Sequence, residues 1–370
     1  MSTTEPRPST RTAGIDLTMP ENHLDVVATP GSVDPSRTAS LRTRLIAVIS
    51  MPLFFLVAFS LAYVSAGHAP VPHDLAITLS GPAQVTDQLA DALEERAEGA
   101  FDASRADSAE QARQAVADRD AVGAVIVDGS TVTTVIASGG GRLAAAVVQQ
   151  VGDQAAAQLG TTATIEDVAP LPADDPGGSV LFFFLVICTV GAFLSITAIS
   201  QAIPRAGVKA LLATAAGAAL LVPVLGFSMI SLFVDFGVDF GQVAAVIGVG
   251  MLYSFTVGVI ATLLTLLLGQ GAVLAEILIL VALNFPSAGA STPESMLPPF
   301  WQVVHNGWLG SGGFEAMRGI LFFDGAGIGR WLLQLGIWTV SALVLTVLVA
   351  RRRKREGAVE VPAAASAVAG

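Results

Sequence analysis

The residues with the chemistry to act in this chain are few. Glu276 is the one formal charge inside the apolar stretches, and leaving a carboxylate unpaired in lipid costs about 2.5 to 3.5 kcal/mol even on insertion scales, so it is a candidate for transport or coupling. Counting from Gly271, it lies little more than one turn into its segment, which leaves contact with cytoplasmic headgroups or water as an equal reading. Glu315 and Arg318, three residues apart on one helix face, can neutralise each other and join Glu276 as transport or coupling candidates. His68 and His73 stand beside Asp74 in a Pro-rich stretch, where a solvated linker is favoured over a metal site because nothing fixes ligand geometry. Glu94, Glu95 and Glu98 fall on a solvated helix face, and Gly139-Gly140-Gly141 ahead of a helix reads as a turn before it reads as an anion cradle. Cys188 is the single cysteine, which excludes an intrachain disulfide, a cysteine zinc cluster and a Cys-x-x-Cys redox motif. With no paired carboxylates, nucleophile and base, or metal cluster in the apolar stretches, no catalytic, metal or cofactor residue is assigned and an enzyme is the least favoured class.

The elements that must position these residues are those of a membrane protein. Of 370 residues 53% are hydrophobic and 13% charged, against about 25% charged in soluble domains, and the mean hydropathy is +0.67. An acidic pI of 4.7 excludes the electrostatic footprint of a nucleic-acid binder. A bilayer core needs roughly 20 apolar residues in helix. Six stretches serve: Leu45–Val64, Val180–Ile203, Ala210–Phe233, Val243–Leu268, the short Ala272–Phe285, and Trp331–Ala350. Arg37, Arg42 and Arg44, then Arg205 and Lys209, then Arg351 to Arg355 share one side only with six crossings and both termini in the cytoplasm. Val64-Ser65-Ala66 looks like a signal cleavage site, yet the apolar run before it is longer than a signal core and some 40 residues precede that run. Residues 1–43 read as a disordered cytoplasmic tail, 44–64 as the first span, 179–350 as the remaining spans and 351–370 as a basic cytoplasmic tail.

Residues 65–178 are a different material. They hold 17 Asp and Glu, 5 Arg and no Lys, a net charge of −12 against −11 for the whole chain, and must lie outside the cytoplasm. Leu75, Ile77 and Leu79 alternate as a strand; Val85, Leu89, Leu93, Ala97 and Phe101 recur every four residues as a helix. Ser108 and Gln111 form a capping box, and Asp128-Gly129 joins a hairpin of Ala124–Val127 with Thr131–Ala137. Leu143, Val147, Val151 and Ala155 mark a third helix, and Ala163–Val168 closes the sheet in the order β-α-α-β-β-α-β.

Two features belong to the membrane part. Gly250, Ser254, Gly258 and Thr262 form a small-residue stripe, a candidate helix-packing interface within one subunit or between two. Residues 296–325 form an outer hairpin of two short helices broken at Gly312-Gly313, with Pro298, Pro299, Trp301, His305 and Trp308 as its candidate residues.

Asp107–Ala112 through Val122–Val127, and Met296–Pro298 through Phe314–Gly319 to Phe323–Gly325, are similar to stretches of the type-2 ABC transporter permeases, and the layout resembles most their YhgE/Pip (phage infection protein) branch. The resemblance implies a homo- or heterodimer in the cell (plasma) membrane that exports a hydrophobic or amphipathic substrate, with ATP bound by a separate cytoplasmic ATPase subunit. No Gly-x-x-x-x-Gly-Lys-[Ser/Thr] occurs in this chain, and the connection Gln201–Gly207 lacks the carboxylates of a coupling helix. The expected fold is a polytopic α-helical membrane protein with six transmembrane helices. An α/β extracytoplasmic domain lies between helices one and two, and a re-entrant or interfacial hairpin precedes helix six. The alternative is a non-transporting envelope protein whose acidic outer domain binds a cell-wall component or a partner protein.

Overall fold

The computed structural model describes residues 41–204, 206–290 and 292–359. Arg37, Arg205, most of the expected tail at 1–43 and residues 360–370 lie outside them. Residues 1–50 form a unit separate from 51–370; of the first, only the opening turns of α1 (Leu41–Gly67) are described, and all later elements belong to the second.

Downstream of α1 the chain runs β1 (Leu75–Ser80), α2 (Ala83–Arg96), β2 (Phe101–Ala106), α3 (Ala109–Ala117), β3 (Gly123–Asp128), β4 (Thr131–Ile136), α4 (Arg142–Gln158) and β5 (Ala163–Asp167). The strands make one sheet in the order β2-β1-β3-β4-β5, with β1 parallel to β2 and β3, and β4 antiparallel to β3 and parallel to β5. The continuous apolar run of β3 is explained by burial on both faces. Val125 and Val127 meet α2 and α4, while Ala124 and Ile126 meet α3.

Three local expectations are corrected. The helix does not run through Phe101: it stops at Arg96, the chain turns at Gly99 in a left-handed conformation, and Phe101 opens β2. Of this edge strand only Ala106 is buried, and its apolar residues Phe101, Ala103 and Ala106 are set among Asp102, Ser104 and Arg105, so it carries little apolar signal. At α3 the Ser108 hydroxyl accepts from the Gln111 amide, but the Gln111 side chain bonds the Asp107 N–H one residue earlier than a capping box would. On α4 the sheet is met by Ala144, Ala145, Val148, Val151 and Ala155, while Leu143 is exposed.

Four helices are long and apolar enough to cross a membrane: α5 (Val180–Ala202), α6 (Val208–Ile230), α7 (Phe240–Leu268) and α12 (Ile328–Val359), the last over Ile328–Arg355. Their outer surfaces are apolar, with Leu220, Leu221 and Leu225 of α6 and Ile337, Val340 and Val344 of α12 exposed. Between α7 and α12 the chain breaks into α8 (Ala272–Ile277), a π turn at Leu278–Ala282, α9 (Asn284–Ser287), α10 (Pro299–Gly307) and α11 (Leu309–Phe322). Pro52–Gly67 and Ala272–Ser287 are shorter apolar helices.

The small-residue stripe of α7 packs inside this chain. Gly250 lies under Phe184 of α5 and Pro223 of α6, Ser254 donates to the Cys188 carbonyl at 3.4 Å, Gly258 faces Ala215 of α6, and Thr262 donates to the Gly258 carbonyl. All four are buried, so the reading in which they face a second subunit is set aside.

The hairpin also differs from expectation. Gly312 and Gly313 do not break it; they lie inside α11, and the bend falls at Trp308, whose backbone is extended. A side chain on Gly313 would stand 2.7 Å from the Tyr253 ring, and one on Gly312 3.2 Å from the Trp331 carbonyl. These glycines let α7 and α12 close on α11, and every residue from Leu309 to Leu321 is buried.

Gly258→Val should lower the melting temperature of the detergent-purified protein, at a cost of about 1–3 kcal/mol from overpacking against Ala215. Gly248→Val, whose added carbon meets nothing within 4 Å, should leave the melt almost unchanged. Equal losses in the two variants would contradict this packing.

Candidate functional site

Helix α3 ends in a Schellman motif: the Asp120 N–H bonds the Ala115 carbonyl at 2.9 Å and the Arg119 N–H bonds Val116 at 3.2 Å. The residue that must be left-handed there is normally glycine, but here it is Arg119, at φ 68°. A side chain held at this sterically disfavoured position points to a use for it. Arg119 reaches out of the sheet domain into the α11 region. It donates to Glu315 Oε2 at 2.5 Å and to the Glu315 carbonyl at 3.3 Å.

Glu315 is shared. Its other oxygen accepts from Arg318 at 2.6 Å, and Arg318 donates its second nitrogen to the Gly289 carbonyl at 3.0 Å. Gly289 has φ 81°, and a side chain there would stand 2.9 Å from the His305 ring and 3.3 Å from Glu315 Oε1, so only glycine turns that carbonyl toward Arg318. Phe314 lies under the Arg318 guanidinium at 4.4 Å and Phe323 under that of Arg119 at 5.1 Å.

The surrounding residues seal the junction. Phe322, Phe323 and Pro293 fill the space beside Gly139, Gly140 and Gly141, so the triple glycine is a docking pad and has no room for an anion. Next to the cluster, Glu294 accepts from Asn306 at 2.5 Å and from Arg330 at 3.2 Å, with the His305 ring 3.8 Å away. His305 bonds the Ser287 carbonyl at 2.7 Å and stands edge-on to Trp331, in the first turn of α12. Between these groups and His73, Asp74, Asp118 and Asp120 of the sheet domain lies a polar cleft of about 620 Å³.

Burial by itself would raise the Glu315 carboxyl, but Arg318 and then Arg119 outweigh it and hold Glu315 below the usual carboxylate range. Burial pushes the His305 ring below its ordinary value, against the opposing pull of Glu315 and Glu294.

Of the residues marked in the sequence, Glu315, Arg318 and His305 meet here. Pro298 and Pro299 start α10. Trp301 donates to the Ser65 hydroxyl of α1 at 3.0 Å, and Trp308 packs edge-on against Trp338 of α12. Glu276 is not part of the cluster; it sits in α8 beside Thr197 of α5. His68 bonds the Val64 carbonyl, and no group of three or more His, Cys, Asp or Glu among the described residues is placed to hold a metal ion. Sequence reasoning passed over Arg119; the available signal was a lone arginine between Asp118 and Asp120, where a helix stops without glycine.

No family model, curated protein or solved structure matches the chain.

Removing Arg119 leaves Glu315 paired with Arg318 but strips its buried Oε2 of a donor, so Arg119→Ala should cost about 1–3 kcal/mol in denaturant unfolding. Arg119→Gly should also destabilise despite suiting the left-handed φ; a gain would show that the backbone, not the guanidinium, matters. Glu315 and His305 both bind protons less readily folded than unfolded, so stability should fall on acidification. The His305 contribution is complete above about pH 6.5 and lost below it; that of Glu315 is complete above about 4.5 and lost as pH falls through its lower folded value. Melting temperature against pH checks this, and His305→Gln should remove the loss that begins at the higher pH.

Proposed function

We propose that this chain is the membrane subunit of an exporter of the type-2 ABC kind, moving a hydrophobic or amphipathic substrate with energy from a separate ATPase subunit. In this reading α1, α5, α6, α7, the broken α8–α9 segment and α12 are six crossings. Both termini are cytoplasmic, the sheet domain is extracytoplasmic, and the working unit is a homo- or heterodimer. Lys209, at the start of α6, and the exposed run Arg351–Arg355, at the end of α12, then fall on the cytoplasmic side. The α10–α11 bend is re-entrant: Trp338 donates to the Gly307 carbonyl at 2.8 Å, and lies about 15 Å along α12 from Ile328, half of a hydrocarbon core.

The observation that carries the reading is the ion cluster through which the sheet domain grips α11. Helix α11 touches α5, α7, α9 and α12, so a rearrangement of the spans reaches the outer domain through Glu315 and its two arginines.

A second reading has its own support. The connection between Ala202 of α5 and Val208 of α6 is too short for a coupling helix, which suits an envelope protein whose outer domain binds a cell-wall component or a partner protein.

Affinity purification of the full chain from native membranes should recover a polypeptide carrying a phosphate-binding Walker loop, identified by mass spectrometry. Recovery of the chain with envelope partners only, and no ATPase, would overturn the exporter reading in favour of the second.

A further inference from the structure

At the end of the bundle away from the ion cluster, another carboxylate is buried, and no cation among the described residues acts on it. Glu276 is 1% exposed and follows the Gly269–Gly271 turn that ends α7. Its Oε2 lies 3.0 Å from the Thr197 hydroxyl of α5, and the Thr265 hydroxyl of α7 stands beside the same carboxyl. Among the described residues Oε1 has no hydrogen-bond partner, and no titratable or cationic group on α5 or α7 acts on the carboxyl.

The Thr197 hydroxyl has one hydrogen and two acceptors in reach, Glu276 Oε2 at 3.0 Å and the Phe193 carbonyl at 3.1 Å. With Glu276 ionised, the hydroxyl donates to the carboxylate. With Glu276 protonated, the carboxyl donates to Thr197 Oγ1, which turns its own hydrogen to the spare lone pair of the Phe193 carbonyl. One oxygen therefore serves both states with no heavy atom displaced. Two residues beyond Glu276 the helix enters a π turn, in which the Leu283 N–H bonds the Leu278 carbonyl at 3.0 Å. Such turns hold one residue of slack and concentrate at functional sites.

We propose that Glu276 is a proton-binding site, loaded and emptied from the end of the bundle that carries Lys209 and Arg351–Arg355. Glu276 is the fifth residue of α8, and Thr197 lies five residues before the end of α5, so the carboxyl stands about 7 Å inside the helix ends. The step is a simple transfer: hydronium gives its proton to the carboxylate and leaves as water, and the reverse restores the charge. A proton suits the site better than calcium, which takes six to eight oxygen ligands, because among the described residues one carboxyl and two hydroxyls converge there. The proposal stands whether or not the chain exports anything.

Infrared difference spectra of the full chain in phosphatidylcholine vesicles, stepped from about pH 5 to about pH 9, test it. The expected result is a protonated-carboxyl C=O band that disappears as pH rises, is absent in Glu276→Gln, and has its midpoint moved to higher pH in Thr197→Val. The upward shift is expected because the carboxylate loses its donor; Thr197→Ser should restore the midpoint. A wild-type spectrum unchanged by Glu276→Gln would overturn the proposal. So would a Glu276 band present at every pH, the mark of a permanently neutral structural group. If Glu276→Gln fails to fold, the Thr197 pair decides: equal midpoints in Val, Ser and wild type also overturn it.

Discussion

One carboxylate held between two guanidinium groups sets the terms for the rest of the molecule. Taking three charges out of water costs several kcal/mol per ion after relaxation, and their attraction offsets this only where the geometry is good and the remaining donors are satisfied. Here Arg119 keeps a left-handed backbone, Gly289 turns its carbonyl toward Arg318, and Phe314 and Phe323 lie under the two cations. Each arrangement is costly or unusual alone, and together they fix one docking of the sheet domain on α11. Apolar packing at Gly139–Gly141 supplies contact area at the same junction, but apolar contact is not directional. The ion cluster supplies the register.

That register matters because α11 has no free face. Asn284 stands against Gly310, Tyr253 against Gly313 and Trp331 against Gly312, so the helix is fitted on three sides by neighbours that approach its backbone. Tyr253 in turn shares hydrogen bonds with Thr189 of α5, at 2.6 Å, and Asn284, at 2.7 Å. A close-packed interior of this kind does not deform continuously; it shifts between discrete arrangements or stays put. Any change in the outer domain that moves Glu315 must therefore move α11 against these contacts or break the ion cluster.

How much the sequence revealed depends on which signals are local. Long apolar runs identify α5, α6, α7 and α12, because lipid and core both demand apolar residues along the whole helix. The alternation of Leu75, Ile77 and Leu79 in β1 and the continuous apolar run of β3 were legible as well, while the edge strand β2 was hidden behind a helical period ending at Phe101. Glycine misled at Gly312-Gly313, where its role is close approach and not interruption; the actual bend, at Trp308, is announced only by the single Gly307 that ends α10. Half of the ion cluster was visible, since Glu315 and Arg318 are three residues apart on one helix. The other half was not, because Arg119 lies 196 residues from its partner and no spacing rule spans that distance.

Two of the buried carboxylates, Glu315 and Glu276, show how differently one protein can resolve the same electrostatic problem. Glu315 is stabilised as an anion by two permanent cations, so its charge is constant and its work is mechanical: it holds two parts of the chain together. Among the described residues the polar groups beside Glu276 are hydroxyls, and a hydroxyl accepts or donates with equal ease. No cation among the described residues holds the group in its charged state. A carboxylate fixed by arginines is a poor proton carrier, and one solvated by hydroxyls is a poor clamp. The sorting of these environments, arginines where the sheet meets α11 and hydroxyls where α5 meets α8, therefore divides the labour: position is held at one end of the bundle, and charge can change at the other.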